Sequence, residues 1–306
     1  NVLPSDPARM VAGPQARPKD VERVRQQLGL DRPVLEQYAR FMRRLVHFGP
    51  SHFETKDPEH GTCANVWRVH FDLGKSYQQR RAVTTILGER LPRTLMLAIA
   101  AVLVQTLLGV VTGLIAAVKR NTAIDHLTVG TSLVGISAPT FLIGLALQFV
   151  LAHRLRLLPL DGFGDTAAEH VVCIILPALT LGIYGAAYYT RVVRDELIGA
   201  VKLDHVRTAR AKGLPMWRVW IRHALRNALV PLVTLIGLDL GALVGGAIVT
   251  ETLFRWPGLG ALTVSALLDR DAPVIMGTVI VSSAAIVLAN LVVDVSYAIL
   301  DPRVRG

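Results

Sequence analysis

Gly74-Lys75-Ser76 carries the last residues of a phosphate-binding loop, in which a lysine reaches the β- and γ-phosphates and a hydroxyl holds Mg²⁺. That loop also needs a glycine five positions ahead of Gly74, and Val69 stands there. No Walker A motif is written. His47, His52, His60, Cys63 and His70 crowd into 24 positions and offer the donors that take zinc, nickel or copper. Their spacing matches no standard site, and Glu54, Asp57, Pro58 and Glu59 are interleaved among them, so a solvated loop is the expected reading and no metal is expected. GxSxG and HExxH are also lacking, which argues against a self-contained enzyme and leaves no catalytic residue to nominate. Asp239 differs from these, because it interrupts an apolar run about 12 residues from either end. A carboxylate at that depth of a membrane helix is costly and faces a cavity or a polar partner. Two readings stay open: a place on a transport path, or a protonated or hydrogen-bonded Asp inside a helix bundle without solute contact.

The elements that must position these residues are apolar helices. Of the 306 residues, 52% are hydrophobic and 18% charged, and the mean hydropathy of +0.43 is too high for an ordinary soluble domain. Thr94 to Val118 is an uncharged run of 25 residues, which as helix at ~1.5 Å per residue exceeds a hydrocarbon core of ~30 Å. Leu127 to Ala152 and Val171 to Thr190 are uncharged runs of 26 and 20. Five spans follow, near 94–118, 127–152, 171–190, 227–250 and 273–300, and the expected fold class is an all-α, polytopic, integral membrane bundle. Gly237, Gly241 and Gly245 on the fourth span, with Gly109 and Gly113 on the first, recur at helical spacing and suit close helix approach better than gating. Cys63 and Cys173 stand apart without a CxxC, so neither a zinc ribbon nor a disulfide scaffold is indicated.

The formal charge of +10 would suggest nucleic acid in a soluble chain, but its location excludes that. Nine Lys/Arg (191, 194, 202, 207, 210, 212, 218, 222, 226) against Asp195, Glu196 and Asp204 fall in the loop 191–226, which the positive-inside rule makes cytoplasmic. Alternation then puts the Lys119-Arg120 turn and the tail 301–306, with Arg303 and Arg305, inside. The loops 153–170 and 251–272 lie outside. Residues 1–93 also fall outside, which implies a span ahead of residue 1; the start at Asn1, without Met or a signal-peptide core, fits a missing first helix. Asp20–Leu28 and Pro33–His47 are expected as amphipathic helices of this small extracytoplasmic segment, the second with Val34, Leu35, Tyr38, Phe41, Met42 and Leu45 on one face. Arg80, Arg81, Arg90 and Arg93 oppose the orientation rule, from which long translocated segments are partly exempt.

The loop 191–226 is expected to form a helix over Val192 to Ala211, a turn at Gly213-Leu214-Pro215, and a second helix over Met216 to Ala228. An apolar side of Leu197, Ile198, Val201, Val206, Trp217, Val219 and Trp220 suits docking on a soluble partner, and equally a basic hairpin lying on anionic membrane lipid. The string DHVRTARAKGLPMWRVWIRHALRNALVPL, from Asp204 to Leu232, resembles the EAA-type coupling loop of binding-protein-dependent ABC importer permeases, most closely the dipeptide/oligopeptide/nickel branch. LPSDPARMVAG, LGLDRPVLEQY, DLGKS, ERLPRTLMLA, GISAPTFLIGLALQ, VTETLFRWPGLG and YAILDPRVRG resemble that branch in order, and the FRWPGLG and LDPRVRG pair is similar to the first of its two permease subunits. Departures are the insertion over 48–70, Phe71 in place of a usual Gly, His205 in place of a usual Tyr, and Asp239 in place of an expected amide.

The resemblance implies a six-span permease, in agreement with a missing first helix. It implies a second permease subunit as heterodimer partner, two ATP-binding subunits that hold ATP and Mg, and an extracytoplasmic solute-binding protein, with no cofactor on this chain. The implied location is a prokaryotic plasma (inner) membrane, and the implied solute is a di- or oligopeptide or a related small molecule such as glutathione or nickel. Coupling to the ATPase would fall on Asp204, Arg207, Thr208, Ala209, Lys212 and Gly213. Asp239, Glu251, Phe254, Trp256 and Pro257 would belong to the path or its outer gate, with a plain turn capping two helices as the alternative for 251–260. A secondary transporter or channel is the other class; it usually shows internal repeats and several intramembrane charges, and this chain shows no clear repeat and one mid-span Asp.

Overall fold

The computed structural model describes residues 7–13, 15–48, 63–66 and 69–300. In chain order it holds α1 (Pro7–Ala12), α2 (Pro18–Leu28), α3 (Val34–Leu45), β1 (Val46–Phe48), β2 (Cys63–Val66), β3 (Val69–Asp72), α4 (Val83–Val118), α5 (Ala123–Ser137) and α6 (Thr140–Leu147). A π-helical stretch, Gln148–Arg154, extends α6, and α7 (Ala167–Ala200), α8 (Asp204–Ala211) and α9 (Met216–Arg218) follow. A second π-helical stretch, Val219–Ala224, joins α9 to α10 (Leu225–Gly246), and α11 (Ile248–Leu253), α12 (Leu259–Leu268) and α13 (Ala272–Leu300) complete the order. The chain divides into two compact units, residues 1–92 with 262–281, and residues 93–261 with 282–306.

In the first unit, Pro18 opens α2, where its missing N–H is no loss, and Gly29 closes it at φ 67° with its N–H on the Gln26 carbonyl. The helix expected over Pro33–His47 is α3, but it stops at Leu45, because Val46-His47-Phe48 pairs as a strand. A three-stranded antiparallel sheet of order β1-β3-β2 therefore stands in a segment expected to be wholly helical. Its register sets His47 opposite His70 and Cys63 opposite Asp72. His52 and His60, with most of the 48–70 insertion, lie outside the described residues. On the apolar face of α3, Leu35 and Tyr38 are 79% and 60% exposed. The start of α4 meets the start of α13 at Gly277, where an added Cβ would fall 2.6 Å from Val83 Cγ1. Asp271 ties the DLGKS segment to the same place: its carboxylate accepts the Ser76 hydroxyl at 2.5 Å and the Tyr77 and Gln78 amides at 3.1 and 3.2 Å.

In the second unit α7 is the central helix, packed on α5, α6, α10 and α11. Tyr189, Val193 and Leu197 of α7 form one buried cluster with Ala117, Ala224, Ala228 and Leu232. Leu97, Ala101, Ala178, Leu181, Ala247 and Trp256 form another. Glycines permit the closeness. A Cβ at Gly113 of α4 would lie 2.8 Å from the Thr190 carbonyl oxygen, and one at Gly182 of α7 would strike Val104. Gly241 and Gly245 of α10 likewise lie against Ala289 and Ile286 of α13, so the spacing of these glycines is used for packing. Asp125 and Arg194 close α5 on α7 with two bonds of 2.6 and 2.9 Å.

Among the described residues three helices are long and apolar enough to cross a membrane, and five spans result when each of two bent pairs counts as one. The run 127–152 is not one straight helix: α5 and α6 meet at 105°, because Pro139 forces Ala138 into extended backbone. The fourth run also stops early, at Gly246, and α11 begins after Ala247. Pro92 and Pro177, by contrast, sit inside helices, and Pro231 lies within α10 where the second bent pair turns by 48°. Outward-facing Leu127, Val134, Leu142, Val287, Leu288 and Leu291 give these helices apolar side chains away from the core as well as toward it, the pattern of helices in lipid.

Candidate functional site

Asp239 sits on α10, and its Oδ2 accepts the Gln105 Nε2 of α4 at 2.7 Å. Gln105 is itself buried, lying against Gly185 of α7, where an added Cβ would overlap its amide oxygen. Both residues line a cavity of about 640 Å³ together with Thr140, Tyr184, Tyr188 and Thr250. The cavity belongs to the second unit, and α4, α5, α6, α7, α10 and α11 all reach it. Tyr189, wholly buried, has Asp239 and Gln105 as polar neighbours, yet its hydroxyl has no hydrogen bond of acceptable geometry. Asp239 thus has both a hydrogen-bonded partner and a place on a cavity wall. Gln105 stands 134 positions away, so spacing does not pair it with Asp239. The available signal is an amide in the middle of an uncharged run.

Glu251, Phe254 and Trp256 form a closed arrangement instead. Glu251 has no exposed surface; its Oε1 accepts the Thr94 hydroxyl at 2.8 Å and its Oε2 the Ala261 amide at 3.0 Å. Thr94 Oγ1 in turn accepts the Leu259 amide at 2.8 Å. Gly258 must lack a side chain here, because a Cβ would overlap the Glu251 carboxylate and the Thr94 hydroxyl. The Trp256 indole N–H donates to the Arg93 carbonyl at 2.9 Å, and its ring meets Phe163 edge-on at 4.8 Å. The Phe254 carbonyl accepts the Gly162 amide at 2.9 Å, and Pro257 is half-buried between Trp256 and Gly258. The segment ETLFRWPGLG is therefore a buried, hydrogen-bonded corner, with none of Glu251, Phe254, Trp256 and Pro257 on the Asp239 cavity.

The third group is the basic hairpin. The helix expected from Val192 breaks at 201–203, so that α7 ends at Ala200 and α8 starts afresh at Asp204. Asp204, Arg207, Thr208, Lys212 and Gly213 are exposed, whereas Ala209 and Val206 face inward. Gly213 adopts φ +77° and its amide closes on the Arg210 carbonyl at 3.0 Å. The apolar side expected to dock on a partner is mostly used by the chain itself: Leu197, Val206 and Val219 are buried, and Ile198, Val201 and Trp220 pack on the core. Exposed apolar surface comes instead from Leu203, Met216, Trp217 and Ile221. His205 Nε2 lies 3.2 Å from the Asn227 amide nitrogen and pins α8 near the start of α10.

Residues 109–306 match the family model described as "Binding-protein-dependent transport system inner membrane component", and residues 1–98 match the model of the N-terminal part of such membrane components. The chain belongs to this family of inner membrane permeases. The "Probable D,D-dipeptide transport system permease protein DdpB" of Escherichia coli (strain K12) is 37% identical, over all of this chain and 91% of that protein. The glutathione transport system permease protein GsiC of the same strain is 39% identical, over all of this chain and 90% of that protein. In fold, a chain of the inward-facing MetNI methionine ABC transporter superposes with a TM-score of 0.60 at 16% identity, over 71% of this chain and 96% of the other. The permease is thus a multi-pass inner-membrane protein of the ABC importer class, built on a polytopic helical bundle. Among the described residues of the permease no group of three His, Cys, Asp or Glu could hold a metal ion.

Proposed function

We propose that this permease forms one half of the membrane pathway of an ATP-driven importer for peptide-like solutes. The relatives carry the solute class, since over the whole chain the permease resembles proteins named for D,D-dipeptide and for glutathione transport. The geometry supplies the coupling element: a helix, a positive-φ glycine and a second helix, with the polar face of α8 turned outward. Asp204, Arg207, Thr208, Lys212 and Gly213 present that face to an ATP-binding subunit, and Ala209 seats α8 against the permease. The π-helical stretch after α9 packs on both α8 and α10, so a push on the hairpin moves the helix that carries Asp239. ATP and Mg bind two separate subunits, in keeping with the incomplete phosphate loop at Gly74; a second, heterologous permease completes the pore and a solute-binding protein delivers from outside. In this scheme the corner at 251–260 is the rigid outer rim of the path.

Reconstitution of the co-purified complex in liposomes tests this. Labelled di- and tripeptides should accumulate only with ATP inside the cytoplasmic compartment and the loaded binding protein on the other side. Uptake that persists without ATP, driven by an ion gradient alone, would overturn the proposal.

A further inference from the structure

We propose that Asp239, oriented by Gln105 and walled by Tyr184 and Tyr188, is an ammonium-binding subsite of the permease cavity. The inference rests on the permease reading above and deepens it by naming a chemical class of solute, molecules that carry a protonated amine. Of the 14 residues that line the cavity, Asp239 is the one carboxylic acid, and none is Lys, Arg or His. Among the described residues no Lys, Arg or His forms an ion pair with it. Gln105 fixes the direction of the carboxylate through Oδ2 but brings no positive charge, so a cation entering the cavity would be its first charged partner.

The walls favour an organic cation over a metal ion. Tyr184 and Tyr188 stand one turn apart on α7, both line the cavity and both are partly exposed, the placement in which an aromatic face attracts an ammonium. Hard inorganic cations ask for about six to eight oxygen ligands, whereas this lining is mainly Leu, Ile, Val, Ala and Gly. An ammonium offers three donors, one or two for the carboxylate and the rest for neutral oxygens such as Thr140. The volume of about 640 Å³ lies within the ~300–1,000 Å³ of small-molecule sites, room for a di- or tripeptide rather than a bare ion.

The test reads the charge preference of the cavity without the natural solute. The full complex is prepared with Cys63→Ser and Cys173→Ala, and a reporter thiol is introduced by Thr140→Cys. Rates of modification by a trimethylammonium-ethyl and by a sulfonato-ethyl methanethiosulfonate are each divided by the rate for a free thiol. The cationic reagent should be favoured by about tenfold or more, the lower end of what a focused field contributes. Asp239→Asn should bring the ratio close to one, and Asp239→Glu should keep most of it, while a neutral reagent reacts alike in all three. A ratio that Asp239→Asn leaves unchanged, or no preference with Asp239 intact, would overturn the subsite. A preserved preference in a complex without ATP-driven peptide uptake would support the subsite and sink the transport reading instead. In uptake, Asp239→Asn should lower transport of a dipeptide with a free amino terminus at least fivefold more than that of its N-acetyl form.

Discussion

Glu251 and Asp239 are both carboxylates in apolar stretches, and their surroundings separate them. Glu251 has both oxygens engaged and no exposed surface, and its carboxylate fills the space that a side chain at Gly258 would take. Asp239 has a Gln105 amide on one oxygen and a cavity beside it. The first arrangement is closed on every side, and the second leaves a carboxylate beside open space. Glu251→Ala would strand the Thr94 hydroxyl and the Ala261 amide in a buried site, at about 1–3 kcal/mol for each unsatisfied group. The variant complex should therefore melt several degrees lower in detergent. Glu251→Gln should lose less, because its amide oxygen still accepts one of the two donors. Unchanged melting of Glu251→Ala together with lost transport would favour the gating role for Glu251 over the structural one. Sequence shows that both residues are special, since each is an acid in an apolar stretch. It does not show which is closed, because Thr94 and Gln105 lie 157 and 134 positions from their partners.

At the scale of elements, the hairpin can be broken at one backbone torsion. Gly213 stands at φ +77° with open space around the position of a Cβ, so any cost of substitution there is conformational and not steric against neighbours. Alanine should be tolerated at about 1 kcal/mol, and a β-branched side chain should cost more. Gly213→Val should insert and assemble normally but lose solute-stimulated ATPase and transport in parallel, while Gly213→Ala keeps most of both. Equal activity in a well-inserted Gly213→Val complex would remove the turn from the coupling path. The turn is legible because Gly and Pro mark it. The break at Val201-Lys202-Leu203 is not, since none of the three is a helix breaker and the periodicity runs through them. Proline misleads in the other direction: Pro92 and Pro177 lie within helices, as a packed membrane bundle tolerates, whereas Pro139 separates α5 from α6 and Pro231 marks a 48° bend in the fourth span. Strands of three and four residues, such as β1 and β3, are too short for an alternation pattern to declare them.

Across the whole molecule the charges fall into two sets that the fold keeps apart within its second unit. Arg194, on the basic segment 191–226, pairs with Asp125, five residues beyond the Arg120 turn, so two segments expected inside meet each other. Arg255 pairs with Asp161 at 3.4 Å, and both belong to loops expected outside. Eight of the nine cationic residues of the 191–226 segment are exposed, free to meet solvent, anionic lipid headgroups or an ATP-binding subunit. Retention of such a set on the cytoplasmic side is what the orientation bias of inner-membrane proteins requires. In a background without Cys63 and Cys173, a thiol reagent that cannot cross the membrane should therefore label Asp161→Cys in intact spheroplasts. Lys212→Cys should stay unlabelled until the membrane is permeabilised, and should then be shielded again when the ATP-binding subunits are present in excess. Both ion pairs make the two assignments interdependent: a label at 212 from outside would carry 125 and 194 with it and send 161 and 255 to the cytoplasm. Such a result would place the coupling face away from the nucleotide and overturn orientation and mechanism together.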